Sequence, residues 1–275
     1  MEHGTFQVLR QLPGAGSIHL AGETAGAGPP IVLLHGLSAT RRNVVQGSRH
    51  LVRRGYRLVA YDARGHGASE PGPRYEYRDL VGDLRAVLDH FELERAPLVG
   101  SSMGAATTMA FALEHRERVA ALVQITPAYS GTARESASWD RMASALEQRG
   151  IEGFVAAAQP DGIPDRWRDA AREASRQRME RHEHPAAVAR ALREVPRSTP
   201  WEGLAPLEGL QMPVLIVGSR DDSDPLHPLA VAEEYARRLP RAELVVEEPG
   251  KSPLAWQGAR LSGAIGDFLE RTGYS

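Results

Sequence analysis

The stretch Ala96-Pro97-Leu98-Val99-Gly100-Ser101-Ser102-Met103-Gly104 constrains this chain more than any other. A short apolar run of strand length leads at once into a G-x-S-x-G turn. An alanine-rich stretch of helical character follows, as far as about His115. A serine in that position stands on a tight, strained bend with its Oγ clear of the sheet edge. The flanking glycines are required because a Cβ would meet backbone where the chain reverses. The helix that follows directs its N-terminus, and the Met103 N–H with it, at any negative charge that develops beside the serine. The five letters alone are a common string; the strand before them and the helix after them give the turn its weight.

From Ile31 onward, short apolar runs alternate with longer helical patterns, which predicts a mostly parallel sheet covered on both faces. The strands expected are Pro30–Leu34, Arg57–Tyr61, Pro97–Gly100, Ala120–Ile125, Val214–Val217 and Glu243–Val246, with Phe6–Arg10 and Ser17–Ala21 as an antiparallel lead-in hairpin. Helices are expected at about Asn43–Arg53, Tyr77–Phe91, Met103–Glu114, Leu229–Leu239 and Leu254–Glu270. The segment from about Ala128 to Gly209 breaks the rhythm. It has no strand-like run, is punctuated by Pro160, Pro164, Pro185, Pro196, Pro200 and Pro206, and reads as three or four amphipathic helices. The fold class is therefore α/β, a doubly wound, mostly parallel sheet with a helical lid inserted after the sixth strand. Residues 1–127 and 210–275 form the core and 128–209 the lid. The arginines of Arg166–Arg181, with Arg190 and Arg193, are expected on its solvated face.

With 275 residues, 42% of them hydrophobic, the chain is long enough to bury a full core in one large domain. A net charge of −2 gives no reason to expect nucleic acid or an anionic membrane as partner. The absence of cysteine excludes disulfides, thiolate metal sites and a cysteine nucleophile. Met1-Glu2-His3-Gly4 lacks the pattern of a secretory signal, and no apolar run reaches membrane-spanning length, so a soluble cytoplasmic protein is expected. None of the ten histidines falls into a zinc-binding helical spacing. His182-Glu183-His184 is expected on a solvated polar helix, and no metal is expected.

Three further motifs fall at strand ends in the order Leu33-Leu34-His35-Gly36-Leu37, Asp62-Ala63-Arg64-Gly65-His66-Gly67-Ala68-Ser69 and Gly218-Ser219-Arg220-Asp221-Asp222-Ser223-Asp224-Pro225-Leu226-His227-Pro228. With the serine turn they resemble the α/β-hydrolase superfamily, in its lidded branch of esterases, lactonases, epoxide hydrolases and carbon–carbon bond hydrolases. The resemblance runs from about Ile31 to Leu269. It implies Ser102 as nucleophile and the N–H groups of Leu37 and Met103 as oxyanion hole. It also implies that Asp62, Arg64 and His66 brace the turn and that His35 bonds locally. Asp224 matches the family's acid better than Asp221 or Asp222, through its Asp-Pro-x-x-Pro run ahead of a helix. No cofactor is implied; a small-molecule substrate is.

The departure lies at the base. After the last strand, where the family has Gly-His, this chain reads Glu247-Glu248-Pro249-Gly250-Lys251-Ser252-Pro253, and no histidine follows. A lysine with a pKa near 10.4 is neutral in only about one molecule in two thousand at pH 7. A carboxylate neighbour such as Asp224 raises that pKa further. His227, three residues past Asp224, is the alternative base, an imidazole being the side chain suited to exchange protons at neutral pH. Three readings stay open at this point. One is a hydrolase of an ester, lactone or related acyl substrate. Another is an enzyme of the same fold with non-hydrolytic chemistry, such as acyl transfer, cyclisation or a lyase step. The third is a ligand-binding protein with a degenerate site. In the first, Trp139, Phe154, Trp167 and Trp201 are candidates to line an apolar pocket under the lid.

Overall fold

The computed structural model describes residues 3–132, 136–158, 164–220, 226–250, 256 and 258–274. Strands β1 (His3–Leu12) and β2 (Gly16–Ala25) form the antiparallel lead-in hairpin. Six parallel strands follow: β3 (Pro30–Leu34), β4 (Arg57–Tyr61), β5 (Ala96–Ser101), β6 (Val119–Ile125), β7 (Val214–Gly218) and β8 (Ala242–Val246). The spatial order is β1-β2-β4-β3-β5-β6-β7-β8, with β2 antiparallel to β4. From β3 the chain steps to one side to make β4 and then returns to make β5 on the other side. The loops leaving β3 and β5 therefore diverge, and a crevice opens at the carboxyl ends of these two strands.

Continuous apolar runs make these strands because both of their faces are buried. Val32, Leu34, Val59, Tyr61, Leu98, Leu122 and Ile216 face one layer. Ile31, Leu33, Leu58, Val99, Val123 and Leu215 alternate with them and face the other. The first layer is covered by α2 (Tyr77–His90), α3 (Met103–Glu114) and α7 (Leu229–Arg238), the second by α1 (His50–Arg53) and α8 (Ala259–Arg271). Helix α2 buries Leu80, Val81, Leu84, Val87 and Leu88, the helical spacing of a single stripe. Helix α3 is buried from Met103 to Ala112, and its Gly, Ala and Thr side chains are small enough for that depth.

The helix expected at Asn43–Arg53 is not formed. In its place are a 3-10 turn at Arg41–Asn43 and, after a gap, the single turn of α1. The Asn43 side chain accepts the Thr40 N–H at 2.9 Å, and Gln46 and Gly47 both take positive φ, so the local bonds of Asn and the turn geometry overrode the apolar pattern. Helix α8 begins at Ala259; the predicted start at Leu254 lies outside the described residues.

Between β6 and β7 the chain forms α4 (Ala137–Ala157), kinked at Gly150, then α5 (Asp165–Met179) and α6 (Pro185–Glu194). Met142, Leu146, Phe154, Met179, Val188 and Leu192 give these helices an apolar cluster of their own. A second cluster joins Ala187, Ala191 and Val195 to Ala63, Tyr75, Leu80 and Met103, which seats α6 over the carboxyl ends of the central strands. Arg190 is exposed, as expected of its face, and Arg193 pairs with Glu147 at 2.6 Å. Among the described residues, no helix is long and apolar enough to cross a membrane.

The loop after β4 is fixed by a buried ion pair. Arg64, fully buried, donates from Nε and Nη2 to the two carboxylate oxygens of Asp83 on α2, at 2.7 and 2.6 Å, and from Nη1 to the Arg74 carbonyl at 3.0 Å. Removing Asp83 leaves the buried Arg64 guanidinium with Asp79, 3.5 Å away, as its remaining carboxylate. Asp83→Ala is accordingly expected to lower the unfolding free energy by about 3–5 kcal/mol in urea titrations, and a loss below about 1 kcal/mol would contradict this account.

Candidate active site

Ser102 links β5 to α3 at φ 52° and ψ −109°, a backbone conformation that residues bearing a Cβ avoid. Its N–H donates to the Ile125 carbonyl at 3.0 Å and its carbonyl accepts the Ala106 N–H at 3.0 Å, so the strained residue is fixed from both sides. The glycine requirement read from the sequence is steric. A Cβ on Gly100 would lie 2.3 Å from the Gly104 carbonyl oxygen, and one on Gly104 would lie 2.3 Å from that of Leu34. Only without those atoms can α3 start so close to β3. Gly36 approaches as well: its virtual Cβ lies 3.3 Å from the Ser102 Cβ.

Leu37 follows Gly36 and Met103 follows Ser102, so their backbone amides belong to the two segments that meet here. Among the described residues, neither amide is taken by a carbonyl or side-chain acceptor. The loop carrying Leu37 is held by histidines. His35, buried, donates from Nδ1 to the Gly36 carbonyl at 2.8 Å and accepts the Ala63 N–H on Nε2 at 2.9 Å. Asp62 accepts the Arg41 and Ala68 N–H groups at 2.8 and 3.1 Å and also pairs with the Arg41 guanidinium. His66 donates from Nδ1 to the Arg64 carbonyl at 3.0 Å. Asp62, Arg64 and His66 thus hold the local structure, in keeping with the bracing expected of them.

His182 corrects the sequence reading. Expected on a solvated helix, it is 6% exposed, because its partners lie on the core rather than on its own segment. Nδ1 accepts the Gly67 N–H at 2.8 Å and Nε2 donates to the Ser38 carbonyl at 3.2 Å. Its ring meets that of His66 edge-on at 5.5 Å, and His66 in turn lies 5.2 Å from His35. Glu183 is exposed, as expected. Among the described residues, no group of three or more His, Asp or Glu is placed to hold a metal ion.

The decisive distance is 2.7 Å, between Ser102 Oγ and His227 Nε2. His227 stands in the turn between β7 and α7, immediately before Pro228, which caps α7. The strand order brings that turn toward Ser102, since β7 is separated from β5 by β6 alone. Asp221, Asp222, Asp224 and Lys251 lie outside the described residues.

Beside Ser102 a small cavity of about 40 Å³ is lined by Leu37, Tyr77, Met103, Tyr129, Trp139, Val195 and their neighbours. Ser102 and Ser198 are polar members of this lining, and none of its described residues is charged. Of the four aromatics proposed from sequence, Trp139 lines it. Phe154 is buried in the helical cluster, Trp167 carries the Arg166 guanidinium 5.8 Å from its ring, and Trp201 packs on Tyr129. Tyr77, Tyr129 and Val195 had no sequence signal, because they come from three segments that only the fold brings together.

Burial pushes the imidazolium forms of His35, His66 and His182 out of reach, lowering all three pKa values, that of His182 to about 4. Because the folded value lies below the unfolded one, the unfolded chain binds more protons between them. The stabilisation is complete above about pH 6.5 and drains away as the pH falls toward 4. For His182 the difference amounts to roughly 3 kcal/mol. Urea titrations at pH 7 and pH 4 should show the wild type losing roughly that much more than His182→Gln. Parallel losses would contradict the assignment.

Comparison with known proteins places the fold. The sn-1-specific diacylglycerol lipase ABHD11 of Xenopus laevis is 36% identical over 99 residues, 36% of this chain and 32% of the relative. The matched stretch thus spans about a third of the length of such curated relatives. Among solved structures, a thermophilic esterase from Thermogutta terrifontis superimposes with a TM-score of 0.77 at 23% identity, covering 98% of this chain and 99% of the other. The enol-lactonase from Burkholderia xenovorans LB400 gives 0.73 at 20% identity, covering 92% and 97%. These likenesses establish the fold, and the proteins that carry them are hydrolases. The family model of the alpha/beta hydrolase fold matches residues 29–259, and the chain belongs to that family.

Proposed function

We propose that the protein is a serine hydrolase of small, neutral, largely apolar esters or lactones, with Ser102 as nucleophile and His227 as general base. The observation that carries this reading is the 2.7 Å contact between Ser102 Oγ and His227 Nε2. An imidazole protonated on Nδ1 accepts the serine proton through Nε2 as Oγ attacks the acyl carbon. The oxygen of the tetrahedral intermediate takes up negative charge and is stabilised by the Leu37 and Met103 N–H groups. Collapse expels the alcohol, which receives the proton from His227, and water then releases the acid by the same steps in reverse. We assign to Asp224, three residues ahead of His227, the carboxylate that orients the imidazole, as the family resemblance implies. Lys251, at the family's histidine position, is then not the base, because His227 takes that role in this reading.

The pocket supports the substrate class. Leu37, Val195 and the rings of Tyr77, Tyr129 and Trp139 offer an apolar surface for an acyl chain or ring, and no charged side chain among the described lining residues awaits a carboxylate. Residues 128–209 act as the lid in this reading, and give the pocket wall Ala128, Tyr129, Trp139, Val195, Pro196 and Ser198. The contact between His227 and Ser102 supports the enzyme reading over that of a ligand-binding protein with a degenerate site.

Turnover of p-nitrophenyl acetate and butyrate tests the proposal. Ser102→Ala and His227→Ala are expected to lower kcat by about 10²–10⁴-fold, while Lys251→Ala stays within about tenfold of wild type. Full activity in His227→Ala with loss in Lys251→Ala would transfer the base to lysine. Unchanged turnover in Ser102→Ala would remove the hydrolase reading. Trp139→Ala should raise KM for the butyrate ester more than for the acetate, and equal effects would exclude it from acyl recognition.

A further inference from the structure

Leu37 is flanked by two carbonyls, each held by a histidine. The Gly36 carbonyl accepts from His35 Nδ1, and the Ser38 carbonyl accepts from His182 Nε2. The Gly36 carbonyl and the Leu37 N–H belong to one trans peptide and point in opposite directions, so a bond to one fixes the aim of the other. The next residue, Ser38, takes φ 59°, a conformation that its Cβ disfavours unless the surroundings hold it. His35 belongs to the same strand end as the loop it holds. His182 does not: it is 144 residues away, on the link between α5 and α6. That link is anchored to the loop after β4 by two more bonds, Gly67 N–H to His182 Nδ1 at 2.8 Å and Glu183 N–H to the Gly67 carbonyl at 2.9 Å.

We infer that His182 is a positioning residue that ties the seating of the helical segment to the aim of the Leu37 amide. The inference rests on the proposed role of that amide as an oxyanion donor. The ring bridges the loops after β3 and β4 and acts as acceptor to one and donor to the other, which requires the neutral tautomer with its proton on Nε2. Facing it are His66 and His35 from those loops, Asp62 at the end of β4, and Arg178 on α5. If the segment lifts, the Ser38 carbonyl loses its donor, and the strained turn that presents Leu37 is free to relax. The donor set is then complete only when the helices are seated over the pocket, and the site is switched on by closure.

Two isosteric variants separate the two bonds. His182→Asn keeps an acceptor where Nδ1 stands, and His182→Gln keeps a donor with the reach of Nε2; His182→Leu keeps neither. With p-nitrophenyl acetate, Asn and Leu are expected to lower kcat by about 10- to 100-fold with KM within about threefold of wild type, and Gln to recover most of the loss. Hydrogen exchange of the peptide covering residues 36–40 should rise in Asn and Leu and not in Gln, while peptides from β5 and β6 stay protected. A kcat unchanged in Asn, or a loss carried by KM, would overturn the inference. Should the Leu variant not fold, Asn against Gln decides. If the wild type cleaves no ester, the proposed function fails and the exchange arm stands alone: unaltered exchange at 36–40 in Asn would then sink the inference by itself.

Discussion

The space between β3 and the first turn of α3 is the constraint on which the rest depends. Side chains at Gly100 and Gly104 would collide with backbone oxygens at 2.3 Å, so the helix can begin directly above the neighbouring strand only with hydrogen there. That closeness forces the chain through Ser102 at positive φ, and a strain of about 1–3 kcal/mol is offset by the bonds on either side of it. The same closeness lets Gly36 pass beside the serine, and in the proposed mechanism the Leu37 and Met103 amides act there as oxyanion donors. Fold and chemistry therefore share one steric cause. Substitution at either glycine would disturb the sheet–helix packing and the site together.

Around that turn the electrostatics are arranged by burial. His35, His66 and His182 are kept neutral, and each spends a ring proton on a backbone carbonyl, so they act as fixed hydrogen-bonding struts. His227 differs: it stands half-buried and in contact with Ser102. In the proposed mechanism the base arrives from the loop after β7 in place of the loop after the last strand. The strand order makes this feasible, since β7 lies two places from β5 while β8 lies three.

Much of the scaffold was legible because parallel strands buried on both faces leave uninterrupted apolar runs. β3, β4 and α3 fall on the residues read from the sequence, β6 to β8 differ by a residue at one end, and β5 by a residue at each end. The region before β4 misled, because Asn43 and Gln46-Gly47 write turn geometry into a helical pattern. The Ser102 turn was legible through its local context, the strand before it, the glycines beside it and the helix after it. His227 was one of two candidates, since nothing in Leu226-His227-Pro228 says where a loop will reach. His182 was misplaced because its partners, Gly67 and Ser38, are 115 and 144 residues away. Interactions across such separations leave no periodicity to read.

The central claim is that His227 activates Ser102, and covalent labelling tests it without any assumption about substrate. Wild type and His227→Gln would be treated with a fluorophosphonate across a range of pH, with adducts followed by intact mass and located by fragmentation. The account predicts a single adduct on Ser102, formed readily in the wild type, slowed as the pH falls, and nearly lost in the variant. An unlabelled serine in the wild type, or equal labelling rates in both proteins, would contradict it.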